Sequence, residues 1–266
     1  MNYCGVYQNR DWLEREYVSK NRSMADISAG FNMPYPSIRY WMKKHDIPIR
    51  KQGYNDGTRR KYIFNEDVFA ECDSPEKAYF IGFLMADGNV GDEGQLSLIV
   101  HNKDGDIIEK FKSHFLFPHP IKQYRGKYCG IRINSIRMVN DLSKFGIVPR
   151  KTGHESMSDI PKEYVRDFIR GYFDGDGYIT HDRTSFRLGI SSANYDFLTA
   201  IQDILIKNCN LSKTKILDSG RNCFGFSYHG NNQVKRIREY LYGGGASMCL
   251  DRKNKRFTYT QKVVFS

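Results

Sequence analysis

The sequence predicts an α+β protein. Two pseudo-symmetric halves, each ordered helix–strand–strand–helix–strand–strand–helix (αββαββα), follow a small all-α module. Three observations predict this. A nine-residue apolar stretch occurs twice, as Phe80-Ile-Gly-Phe-Leu-Met-Ala-Asp-Gly88 and Ile169-Arg-Gly-Tyr-Phe-Asp-Gly-Asp-Gly177. Each copy is followed by the same order of strand-like and helix-like patterns. Ahead of both stand three short helical patterns and a basic connector without hydrophobic period. The predicted boundaries are 1–49 for the helical module, 50–73 for the linker, 74–152 for the first half and 153–266 for the second.

In the module, residues 11–18 place apolar side chains one turn apart. Ser23 and Asp26 carry a capping-box pattern at the start of a second helix. Residues 30–32 make a turn, and a third helix runs from Tyr35 to His45, stopped by Asp46-Ile-Pro48. Residues 1–62 hold 12 Lys and Arg against 6 Asp and Glu, +6 of the total +11. The connector from Arg50 to Tyr62 includes Arg59 and Arg60 and suits a solvated basic strap.

Both repeated stretches read as buried helices. Ser74-Pro75-Glu76 supplies a cap, a first-turn proline and a first-turn acid, and Asp159-Ile-Pro161 does the same for the second copy. Gly82/Ala86 and Gly171/Gly175 leave one face of each helix without bulk, so two backbones can approach closely. Gly88 and Gly177 suit the left-handed residue that closes a helix. In the first half, residues 95–100 alternate as a strand, 106–115 form an amphipathic helix, 121–125 and 128–134 form a hairpin, and 136–145 form a helix. The second half repeats the order with strand 186–190, helix 195–207, paired strands 213–217 and 223–228, and helix 233–241.

With 266 residues, a net charge of +11 and a pI near 9.3, the chain suits polyanionic partners, nucleic acid before an anionic membrane surface. It shows no apolar run of transmembrane length and no signal peptide, so a cytoplasmic setting (nucleoid or phage-infected cell) is expected. None of the six cysteines forms a C-x-x-C pair, which argues for free thiols and against zinc. The histidines show no metal-ligand spacing. Asp174-Gly-Asp176-Gly177 is not an EF-hand loop, because Tyr178, Ile179 and Ser185 stand where that loop needs an acid or amide, a glycine and a glutamate.

Asp87 and Asp176 fall at helix C-termini, where unpaired carbonyls already concentrate negative charge. Two carboxylates brought together there need a cation. With the carbonyls of Ala86 and Gly175 they form the hard oxygen set that Mg²⁺ (or Mn²⁺) prefers, which points to metal-assisted phosphodiester chemistry.

The two stretches, FIGFLMADG and IRGYFDGDG, resemble the paired LAGLIDADG motifs of homing endonucleases, in the monomeric branch with both motifs in one chain. The resemblance spans residues 74–260. The eighth letter, the metal-binding Asp of the family, falls on Asp87 and Asp176. The sixth letter is Asp174 in the second copy but Met85 in the first. The resemblance implies a site-specific double-strand DNA endonuclease that leaves 3′ overhangs and mobilises a host intron or gene. It also implies a saddle over duplex DNA, lined by Gln95, Ser97, Arg125, Arg132, Asn134, Arg187, Lys213, Lys215, Ser227 and His229. Lys151 and Lys253 match the basic residue that the family keeps near the scissile phosphate, and Asp104 and Asn194 match the strand-exit position that organises water.

The N-terminal module resembles a helix-turn-helix, which implies that Tyr35, Ser37 and Arg39 face bases in a major groove. The basic connector with Arg59 and Arg60 suits tracking phosphates or a minor groove. Two other readings share the scaffold: a non-catalytic DNA-binding regulator, against which both motif acids argue, and a maturase bound to host intron RNA. Inteins also carry this nuclease module, but the ending Val-Val-Phe-Ser lacks the His-Asn of an intein, so a free-standing protein is expected.

Overall fold

The structure is a computed structural model and describes residues 5–20, 22–49, 62–182 and 185–263. It contains two compact units, residues 1–63 and 64–266. Arg59 and Arg60 lie outside the described residues.

In the first unit, Asn9 caps α1 (Arg10–Glu14), its side chain accepting from the Trp12 amide. The helix continues as a π-helical turn over Arg15–Ser19. The Ser23/Asp26 capping box opens α2 (Met24–Phe31), which ends at Asn32 in the left-handed region. α3 (Tyr35–Lys44) follows Pro34. Leu13, Tyr17, Ile27, Met33, Ile38, Met42 and Ile47 form a core of their own. Buried Glu16 is neutralised by Lys20 at 2.7 Å and Arg22 at 3.0 Å. Tyr35 and Arg39 are exposed on α3 and Ser37 is half-buried.

The second unit contains the repeat. Its order is α4 (Pro75–Asp87), β1 (Gly88–Gly91), β2 (Gln95–His101), α5 (Asp106–His114), β3 (Lys122–Tyr124), β4 (Tyr128–Asn134), α6 (Ile136–Lys144), then α7 (Val165–Asp176), β5 (Gly177–Asp182), β6 (Ser185–Ser192), α8 (Tyr195–Cys209), β7 (Leu217–Asp218), β8 (Phe224–His229), α9 (Asn231–Tyr242) and α10 (Asp251–Val263). The antiparallel sheets have the matching strand orders β1-β2-β4-β3 and β5-β6-β8-β7. One face of each sheet is buried, through Leu96, Leu98, Ile131 and Ile133 in the first and Leu188, Ile190, Phe226 and Tyr228 in the second. Those faces join α4 and α7 in one shared core. Neither sheet has a complete core without the central helix pair.

Three features differ from the sequence pattern. Gly88 and Gly177 have φ of −72° and −80° and are extended, so each motif helix runs straight into a strand instead of closing on a left-handed residue. Glycine fits there for steric reasons, because a Cβ would lie 2.5 Å from the carbonyl oxygen of Leu84 or of Phe173. The strand placed at 213–217 is reduced to Leu217–Asp218, which leaves Lys213 and Lys215 outside the sheet. Residues 64–73, grouped with the linker on composition, add Val68, Phe69 and Cys72 to the core.

Candidate active site

The site is built by the α4–α7 seam. Gly82 faces the backbone of α7 and Gly171 that of α4. A Cβ on Gly82 would lie 2.1 Å from the Phe168 carbonyl oxygen, and one on Gly171 would lie 1.9 Å from that of Tyr79. Backbone therefore packs on backbone. At the C-terminal ends the pairing is as tight: a Cβ on Gly175 would meet the Ala86 Cβ at 2.3 Å and stand 3.5 Å from Asp87 Oδ2. Small residues thus bring the Asp87 carboxylate over the end of the partner helix.

Desolvation and then the negative charge of Asp176 push the Asp87 pKa up to about 6. Asp176 is also raised, chiefly by desolvation, against a hydrogen bond from Tyr172 and the fields of Lys253 and Lys151. Both side chains still face solvent at the tips of their helices. A pair of crowded, like-charged carboxylates reachable from outside fits a divalent cation. Among the described residues no third His, Cys, Asp or Glu completes a side-chain cluster. Any ion held there therefore draws on backbone carbonyls, water or a bound phosphate, as Mg²⁺ usually does.

Each helix end also has a lysine. Lys151 Nζ donates to the Gly88 carbonyl at 2.5 Å. Lys253 Nζ donates to the carbonyls of Phe173 at 2.6 Å, Gly175 at 3.2 Å and Gly177 at 2.5 Å. Gly88 and Gly177 are the ninth letters of the two motifs, so the two lysines occupy repeat-related places. The ammonium groups bond carbonyls rather than the carboxylates, and they complement the negative helix ends. Lys253 is 4% exposed, and burial lowers its pKa to about 8. Burial likewise lowers that of Lys151. The Gly175 carbonyl, a candidate metal ligand, already accepts one hydrogen bond and keeps its second lone pair.

Asp104 and Asn194 stand at the strand exits. Asp104 grips Arg252 through two contacts, 2.5 Å and 3.0 Å. Asn194 caps α8 through Phe197 N and donates to the carbonyls of Gly153 and Glu155.

One charged cluster escaped sequence reading. Asp174 is buried and accepts from Tyr79 Oη at 2.8 Å, Tyr242 Oη at 2.5 Å and Leu250 N at 2.7 Å. Beside it, fully buried Arg170 pairs with Asp167 and donates to the carbonyls of Leu241 and Met248. The available signal was an acid and an arginine four residues apart within an apolar helix.

The solvent-facing sides of the sheets carry most of the predicted DNA-contacting residues. Gln95 pairs across strands with Asn134 and Ser97 with Arg132, and the Gln95 amide donates to Asn134 at 3.1 Å. Arg187 pairs with His229 and Gly189 with Ser227. Arg132 lies over the Tyr124 ring and Arg187 over that of Tyr178. Arg125 sits in the left-handed turn between β3 and β4, off the ladder. Lys213 is exposed near Asp203 at 3.6 Å.

Residues 163–240 match the LAGLIDADG-like domain. The matched LAGLIDADG-like segment runs through α7, both strand pairs of the second sheet and most of α9, and it includes Asp176. The chain is 31% identical over 147 residues, 52% of its length, to the DNA-directed RNA polymerase subunit Rpo1C of Methanocaldococcus jannaschii. It is 27% identical over 154 residues, 54% of its length, to the glutamine–fructose-6-phosphate aminotransferase of the same organism. It spans 16% and 14% of the lengths of these two relatives. Among solved structures, meganuclease I-SmaMI bound to uncleavable DNA is similar at 12% identity and a TM-score of 0.48, over 70% of this chain and 88% of that one. Among the described residues, no helix is long and apolar enough to cross a membrane.

Proposed function

We propose that the chain is a homing-type, site-specific double-strand DNA endonuclease that hydrolyses phosphodiesters with Mg²⁺ or Mn²⁺ and leaves 3′ overhangs. The convergence of Asp87 and Asp176 at paired helix ends, each flanked by a repeat-related lysine, carries this reading. Asp87 and Asp176, with the carbonyls of Ala86 and Gly175, would hold the metal. A divalent cation bound there would supply Lewis acidity toward a phosphate and a lowered pKa for bound water. Lys151 and Lys253 offset the charge that develops on the phosphate. The polar sheet faces, through Gln95, Ser97, Arg132, Asn134, Arg187, Ser227 and His229, contact the duplex, joined by Arg125, Lys213 and Lys215 at their rims. Residues 1–49 act as a helix-turn-helix that presents Tyr35, Ser37 and Arg39 to bases, with Arg59 and Arg60 on the connecting strap. The protein acts as a monomer, since one chain supplies both carboxylates. A polymerase subunit and an aminotransferase share no activity, yet each carries a similar segment. That distribution supports a transferable module, as expected of a mobile element.

Selection of cut sites from a randomised DNA library with Mg²⁺ tests the reading, run beside Asp87→Asn and Asp176→Asn. Both substitutions are expected to abolish double-strand cutting and to preserve binding. A second reading, a DNA-binding regulator without catalysis, is favoured by Lys253, whose ammonium already satisfies three carbonyls at the α7 end. In that case the wild type binds selected DNA and cuts none of it.

A further inference from the structure

Each half has a polar residue at the exit of its second strand, and each of these residues bonds the segment that carries the lysine of the other half. Asp104, in the turn after β2, pairs with Arg252 of α10 through Nε at 2.5 Å and Nη2 at 3.0 Å. Arg252 directly precedes Lys253. Further contacts dock the start of α10 on the first half: Lys110 Nζ reaches Asp251 Oδ1 at 2.5 Å and the Cys249 carbonyl at 2.7 Å, and Asp251 N donates to Asp106 at 3.2 Å. In the second half, Asn194 Nδ2 donates to the carbonyls of Gly153 at 3.3 Å and Glu155 at 3.0 Å. Those carbonyls belong to a tight loop that also holds Lys151: His154 N bonds the Lys151 carbonyl at 2.8 Å, and Gly153 N bonds the Glu155 carboxylate at 2.9 Å.

We propose that Asp104 and Asn194 are crossed positioning residues, Asp104 fixing Lys253 through Arg252 and Asn194 fixing Lys151 through the 153–155 loop. Their polar atoms are engaged with protein. They act by placing the lysines of the opposite half, not by ordering water. The arrangement makes each half dependent on the other for its lysine. Under the endonuclease reading, on which the cutting arm of the test rests, each lysine serves the cutting of one strand. Loss of one clamp then produces a nick in one strand, and loss of the other a nick in the opposite strand.

The test uses the full chain and a selected target labelled separately on each strand. Lys253→Ala and Lys151→Ala first establish which strand depends on which lysine. Asp104→Asn removes the charge that holds the Arg252 fork. Asn194→Asp keeps the acceptor that caps α8 but loses both donors to the loop. Asp104→Asn is expected to slow the Lys253-dependent strand by about tenfold to a hundredfold, the scale on which small misplacements act, and to leave the other strand near wild type. Asn194→Asp is expected to do the reverse. Lysine acylation followed by mass spectrometry gives a readout independent of cutting. Lys253 is slow to react in the wild type and speeds up about tenfold or more in Asp104→Asn, as its exposed state gains population, while Lys151 changes only in Asn194→Asp. Should Asp104→Asn fail to fold, Arg252→Lys breaks the same fork from the other side. Equal slowing of both strands, slowing of the wrong strand, or unchanged acylation in a folded variant overturns the proposal. Absence of cutting by the wild type with the expected acylation pattern overturns the endonuclease reading and leaves the crossed positioning standing.

Discussion

Gly171→Ala tests the seam on which everything else at the site depends. A Cβ at this position would lie 1.9 Å from the Tyr79 carbonyl oxygen and 2.9 Å from Phe83 N. Ordinary contact begins near 3.4 Å, so the two helices must part by about 3.4 − 1.9 = 1.5 Å. The obstructing atoms are backbone, so no rotamer change relieves the clash. Overpacking of a core costs about 1–3 kcal/mol when side chains yield, and here the upper end applies. Alanine returns about 1 kcal/mol through helix propensity. The net loss is about 2 kcal/mol or more, which for a unit of this size lowers the melting temperature by about 4–8 °C. Urea unfolding followed by circular dichroism measures it. Gly30→Ala in α2 is the control, because its Cβ would meet only the Arg22 guanidinium at 3.4 Å. That variant is expected to be neutral or stabilised. Equal or greater stability of Gly171→Ala relative to wild type refutes backbone-on-backbone packing, and with it the convergence of the two acids.

The remaining expectations follow from the same geometry. The folded-state pKa of Asp87, about 6, lies above its unfolded value, so its contribution to stability is full below pH about 4 and is lost as pH rises through 6. Metal-free wild type is therefore expected to lose stability over that window relative to Asp87→Asn, and parallel urea-midpoint profiles for the two proteins refute it. Mg²⁺ or Mn²⁺ at neutral pH is expected to raise the wild-type melting temperature, and EDTA to reverse the rise; the same shift in an Asp87→Asn/Asp176→Asn double variant removes the carboxylates from the metal site. Asp174→Asn leaves one of three buried donors without its acceptor and is expected to cost about 2 kcal/mol or more, read from chemical unfolding. Arg132→Ala and Arg187→Ala are each expected to weaken DNA binding and lower the salt slope by about one if the arginine contacts phosphate, measured by titration at several salt concentrations.

Much of this was legible in the sequence because the repeat encodes it twice. The glycine spacing that predicts a close helix pair is the spacing at which Gly82 and Gly171 meet the opposing backbone. The alternation in residues 95–100 gives the two faces of β2 correctly. What the pattern missed has physical reasons. β1 and β5 begin at the last motif glycine, so they are too continuous with the helix to show a period of their own. Gly88 and Gly177 fit a helix-closing glycine in composition, yet the constraint on them is the carbonyl four residues earlier. Lys213 and Lys215 alternate like strand residues, but β7 pairs only through Leu217 and Asp218. The polar helix α10 offers little hydrophobic contrast, and its placement follows from Asp104, Asp106 and Lys110 in the other half, which local sequence cannot reveal.

The one-letter departure between the motifs also has a structural consequence. At the sixth letter the second copy has Asp174, and the largest favourable charge effect on Lys253 comes from that carboxylate. Asp174 also bonds Leu250 N, which draws the start of α10 inward. Burying an ammonium group on three carbonyls costs hydration that a nearby carboxylate helps to offset. The first copy has Met85 instead, whose terminal methyl lies toward Gly146, and the carboxylates that act on Lys151 are Asp176, Glu155 and Asp87. Lys151 keeps partial solvent contact and, among the described residues, donates to one carbonyl. The two halves thus share a backbone plan while differing in how firmly each holds its cation. The lysine held on three carbonyls belongs to the half with Asp174 at the sixth letter, and the more exposed one to the half with Met85 there.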